Sequence, residues 1–144
     1  MNASFKIRNF VSLDRNYIFC NFCFLFNGIV VGDYEQTVLA NTLRLSLSDL
    51  IFRLNEKELI CVNSNNMKKI FDSISNDVCN SCLPTFVESF DGDFGMCCHL
   101  NGEEFLIIRK WQCTDLIKVK ISRGEYIDLI INALKKIPDH LSSP

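Results

Sequence analysis

Two Cys-x-x-Cys pairs, Cys20/Cys23 and Cys79/Cys82, are the residues of this chain best suited by type and spacing to chemistry. Four thiolates can hold a zinc ion tetrahedrally, and one pair can cycle between dithiol and disulfide. Spacing argues against both uses. The pairs lie much further apart in sequence than the two halves of a zinc ribbon. Cys20 and Cys23 sit in strand-like text, where residues three apart project to opposite faces. Cys79 follows a predicted helix, so it lacks the helix N-terminus that stabilises a redox thiolate. Cys61, Cys97, Cys98 and Cys113 add no ligand spacing. Free Cys behaves as a small apolar residue, so reduced and mostly buried thiols are expected, with no metal and no cofactor.

Nucleophilic catalysis needs a positioned imidazole. The only histidines are His99, in a strand-like run, and His140, in a polar tail. There is no glycine-rich phosphate loop and no His-Glu-x-x-His helix. The chain is not expected to be an enzyme.

Carboxylates offer a different chemistry. Asp91 and Asp93 flank Gly92, an arrangement that suits a turn. With Asp33, Glu35, Glu88, Glu103 and Glu104 they would make an acidic surface if the fold gathers them at one end of a sheet. Such a surface steers a basic partner and speeds its association without catalytic machinery. Trp111 is either a half-buried core residue or an aromatic anchor for that partner.

The elements that must position these residues are legible in part. Phe5–Leu13 and Asn16–Asn27 read as strands, with a bulge near Asn21 where the alternation slips. Asn27-Gly28 predicts a type I′ hairpin leading into Ile29–Val31. Val38–Leu47 alternates Leu39, Asn41, Leu43, Leu45 and Leu47 and reads as another strand. Ser46 or Ser48 would then cap a short helix through Leu54, and Glu58–Val62 is a short strand. A helix over Met67–Ile74 is capped by Asn65 or Asn66, and Ser75–Pro84 is a loop. Thr85–Phe90, Phe94–Leu100, Glu103–Lys110 and Leu116–Ile121 read as a meander joined at Asp91-Gly92 and Asn101-Gly102. Ser122 and Glu125 form a capping box for a last helix. Its stripe of Tyr126, Leu129, Ile130, Ala133, Leu134 and Ile137 is built to pack on the sheet. The expected fold class is α+β: an antiparallel sheet of about six strands, two short helices and a C-terminal amphipathic helix.

At 144 residues the chain suits one domain, 1–138, with a short polar tail, 139–144. A hydrophobic content of 48% supplies a core. A net charge of −2 and a pI near 5.6 argue against direct nucleic-acid binding, which needs a basic surface. The first residues lack the features of a signal peptide, and no apolar run approaches a membrane span, so a soluble cytoplasmic protein is expected.

Two stretches carry a resemblance. The first is Tyr17-Ile18-Phe19 through Phe26-Asn27-Gly28 to Asn41-Thr42-Leu43-Arg44-Leu45 and Leu50. The second is Val119-Lys120-Ile121-Ser122-Arg123-Gly124-Glu125-Tyr126-Ile127 through Leu134. Together they resemble the small cytosolic immunity proteins of bacterial polymorphic-toxin and contact-dependent growth inhibition systems. That resemblance implies a single α+β domain whose partner is the C-terminal effector domain of a cognate toxin, often a nuclease, blocked by stoichiometric binding. The alternative is a small-ligand or zinc-binding module using the Cys-x-x-Cys pairs or a cavity between sheet and helix.

Overall fold

A computed structural model describes residues 2–139. Its α+β architecture distributes the strands over two four-stranded sheets rather than one meander. In the first sheet, β1 (Ala3–Val11) pairs antiparallel with β2 (Ile18–Phe26), whose other edge carries β3 (Ile29–Val31) and β4 (Val38–Leu39). The second runs in the order β5 (Ile60–Val62), β6 (Phe94–Leu100), β7 (Glu103–Arg109), β8 (Ile117–Lys120). Its β6–β7–β8 meander is antiparallel, and β5 joins β6 in parallel. Three helices complete the fold: α1 (Ala40–Glu56), α2 (Met67–Ile74) and α3 (Arg123–Leu134). Among the described residues no helix is long and apolar enough to cross a membrane.

The β2–β3 turn is as expected, with Asn27 and Gly28 both at positive φ (51° and 82°). The bulge near Asn21 is absent, since the β1–β2 register runs unbroken from Ala3 opposite Phe26 to Val11 opposite Ile18. The apparent slip has a simple cause. Cys20, Phe22, Phe24 and Phe26 share one face, while Tyr17 and Phe19 belong to the other, where Phe19 stacks on Phe10 at 5.6 Å. Asn21, also on that second face, is buried and fully engaged. Its amide donates to Tyr34 O (3.0 Å) and Thr37 Oγ1 (3.2 Å), and its Oδ1 accepts from Arg8 (3.2 Å). These bonds tie the loop after β3 across β2.

Val38–Leu47 is not a strand: only Val38 and Leu39 pair with β2, and α1 begins at Ala40. Leu43, Leu47, Leu50 and Leu54 make its buried stripe at helical spacing, while Leu45 lies outside. Ser46 is therefore inside the helix, where its hydroxyl donates to Thr85 O at 2.7 Å rather than capping. Thr85–Phe90 is not a strand either. Phe86 adopts φ +59°, and Glu88–Phe90 is a single 3-10 turn.

The α3 capping box is complete: Ser122 Oγ accepts from Glu125 N and Glu125 Oε1 accepts from Ser122 N. Arg123, at the start of α3, donates to Leu54 O (3.2 Å) and Lys57 O (2.6 Å), placing a cation at the negative end of α1. The main core lies between the first sheet, α1, α3 and one face of the second sheet, with Phe22, Phe24, Phe26, Phe90 and Tyr126 at its centre. The opposite face of the second sheet, through Phe94, Met96, Cys98 and Ile107, packs against Phe71 of α2. The tail residue His140 lies outside the described residues.

Candidate functional site

Where the two sheets meet, the turn after β3 touches the segment entering β6. Asp33 N donates to Ser89 O at 2.6 Å, and the Phe90 ring covers Gly32, where a β-carbon would come within 2.7 Å of it. Phe90 to Asp93 then make a tight turn closed by Asp93 N to Phe90 O at 3.1 Å. Asp91 (φ −58°, ψ 128°) and Gly92 (φ +83°) have the angles of a type II turn, whose third position requires positive φ. Asp-Gly thus forms a turn, as its chemistry predicts, though it joins a 3-10 turn to β6 rather than two strands.

The open groove beside this junction measures about 670 Å³ and is walled by Asp33, Glu88, Asp91, Asp93, Lys110 and Trp111 among others. Four carboxylates face one lysine there. Asp33, Asp91 and Glu88 are exposed. Asp93 is half-buried, and its Oδ1 accepts from Trp111 N at 2.8 Å. Desolvation raises the Asp93 pKa above its ordinary value, against the lowering effect of backbone donors from Trp111 and Gly32 and of the Lys110 charge; nearby Asp33 raises it further. Trp111 is 64% exposed, so it is no core residue. Its side chain rests on Gly92, which fixes it at the rim of the groove.

Of the seven predicted contact residues, Asp33, Asp91, Asp93 and Trp111 come together. Glu35 adjoins them, its N–H donating to Asp33 Oδ1 at 3.0 Å, but it does not wall the groove. Glu103 and Glu104 do not join the site. They begin β7 opposite Leu100 and His99, at the far end of a β6–β7 ladder roughly 20 Å long. Glu103 pairs with Lys120 at 2.9 Å, and Glu104 accepts from Arg123 N at 3.1 Å. Successive turns of an antiparallel meander fall at opposite ends of its strands, so the Asp91-Gly92 and Asn101-Gly102 turns themselves separate Glu103 and Glu104 from Asp91 and Asp93.

The four cysteines of the Cys-x-x-Cys pairs do not converge. Cys20 and Cys23 are buried in β2, and Cys20 donates to Asn9 Oδ1 at 3.0 Å; burial pushes the Cys20 thiol up to about 11 and raises Cys23. Cys79 is exposed on the 3-10 turn Val78–Asn80. No group of three or more potential ligands among the described residues is arranged to hold a metal ion. Cys82 instead meets Cys97, a contact that no spacing in the sequence signals. His99 is half-buried on β6 and away from the groove, whose chemistry is charge and an aromatic surface.

No family model, curated protein or solved structure matches this chain.

Proposed function

We propose that this chain is a protein-binding inhibitor of the immunity type, neutralising the effector domain of a cognate toxin by occupying its basic surface. The observation that supports the reading is the groove itself: four carboxylates around an exposed tryptophan mounted on a glycine turn. Trp is among the residues most enriched at energetic centres of interfaces, and a rigid mounting reduces the entropy lost on binding. Clustered negative charge favours a partner whose own surface is positive, as a nuclease surface is.

The test is co-expression with the C-terminal domain encoded by the adjacent upstream gene. Growth rescue together with a co-purified 1:1 complex is the expected result. A harmless neighbour, or toxicity without rescue, overturns the proposal.

A further inference from the structure

A second constellation lies behind the C-terminal end of α1. The segment Ser81–Leu83 runs against β6, with Cys82 N donating to Gly95 O at 2.7 Å and Gly95 N to Ser81 Oγ at 3.2 Å. Glycine is required for this approach, because a β-carbon at position 95 would come within 2.9 Å of Leu83 Cγ. The approach sets Cys82 beside Cys97. The Cys97 N–H donates to Cys82 Sγ at 3.3 Å. The buried Tyr126 hydroxyl donates to Cys82 O at 2.6 Å and so holds the backbone of the pair.

Both thiols line a narrow cleft of about 40 Å³, space for a molecule of only a few atoms. Arg53, Lys57 and Arg123 line it too, opposed by the single acid Glu58; its apolar wall includes Leu50 and Met96. Arg53 donates to Ser81 O, and Lys57 Nζ to Cys79 O at 2.8 Å, so both cations are held around the segment that carries Cys82. The two thiols differ. Hydrogen bonding from Cys97 lowers Cys82 against the opposing effect of burial, with Arg53 and Lys57 adding to the lowering, whereas the same pairing and burial raise Cys97. Tyr126 stays protonated, and Cys98, on the opposite face of β6, is pushed up by burial to about 11.

We propose that Cys82 and Cys97 form a redox-active dithiol that reduces a small hydroperoxide, Cys82 as the attacking thiolate and Cys97 as the resolving thiol. The Cys82 sulfur attacks the terminal peroxide oxygen; the O–O bond breaks, and the departing alkoxide takes a proton to leave as an alcohol, or as water from hydrogen peroxide. Cys82 is then a sulfenic acid. The Cys97 sulfur attacks it, forming the S–S bond, and the hydroxyl leaves with the Cys97 proton as water. Two thiols and one hydroperoxide thus give one disulfide, one alcohol and one water. A low-molecular-weight thiol resets the site by disulfide exchange. This site shares no residue with the acidic groove.

The experiment treats the reduced full chain with one equivalent of hydrogen peroxide at neutral pH, alkylates the remaining thiols and maps the peptides by mass spectrometry. The expected result is a Cys82–Cys97 disulfide formed ahead of any other, with the exposed Cys61, Cys79 and Cys113 alkylated. In Cys97→Ser, dimedone should trap a sulfenic acid on Cys82, and Cys82→Ser should slow peroxide consumption roughly ten-fold or more. Oxidation of Cys61, Cys79 or Cys113 first, with Cys82 and Cys97 recovered as alkylated thiols, overturns the proposal. That mapping is done on the unsubstituted chain and stands whether or not the variants fold.

Discussion

The indole of Trp111 lies so close over Gly92 that a β-carbon on that glycine would stand 2.6 Å from the indole Cγ. The glycine also occupies a positive-φ position, so two requirements meet at one residue. Gly92→Ala should therefore destabilise the fold by about 1–3 kcal/mol and displace the indole. Urea unfolding measures the first effect. A red shift of the fluorescence of this sole tryptophan measures the second.

Charge reversal separates the groove from the remote carboxylates. Asp33→Lys with Asp91→Lys should reduce the association rate with the basic partner roughly ten-fold at low salt, and raising the salt should shrink the difference. Glu103→Lys should leave the rate unchanged. Stopped-flow or surface-based kinetics decides, and equal rates for the two sets of variants would remove the groove as the docking face.

Asp93 gives the fold a pH dependence of unusual sign for a carboxylate. Because burial raises its folded-state pKa above the ordinary 3.8, its protonated form favours folding. The stabilising contribution is complete below the unfolded pKa and is lost as the pH rises through the higher folded value. Asp93→Asn keeps an acceptor for Trp111 N while removing the charge. The stability of the unsubstituted protein relative to this variant should fall as pH rises from about 3.8, measured by denaturation across that range. A rising difference would contradict the desolvation argument.

Tyr126→Phe retains the ring contacts with Phe24 and Phe26 but leaves Cys82 O without its donor. A loss of about 1–3 kcal/mol is expected. Thermal or chemical unfolding provides the measure, with slower peroxide oxidation of Cys82 as a second readout.

Local signals were readable and long-range ones were not. The Asn27-Gly28 hairpin and the Ser122/Glu125 capping box depend on residues within a turn of one another, and both formed as their types dictate. Val38–Leu47 misled because Leu43 and Leu47 are in phase with helical spacing, while Leu39 and Leu45 supply the alternation. Extending the window to Leu50 and Leu54 favours the helix. Asp33 reached Asp91 and Asp93 only through the contact of two sheets, and Cys82 reached Cys97 only through the close passage at Gly95. Neither meeting leaves a spacing pattern in the chain. Phe86 gave no warning of its positive φ, since it reads as an ordinary strand residue.

The aromatic face of β2 has a consequence for how the protein is made. Phe24 and Phe26 are completed by Tyr126, which the ribosome adds about 100 residues later. At ordinary elongation speeds of about 5–20 residues per second, that strand waits roughly 5–20 s for its cover. Nascent chains halted before Arg123 should therefore recruit holding chaperones, and the released 144-residue chain should not. The final helix thus sets the moment at which a newborn molecule becomes safe from aggregation.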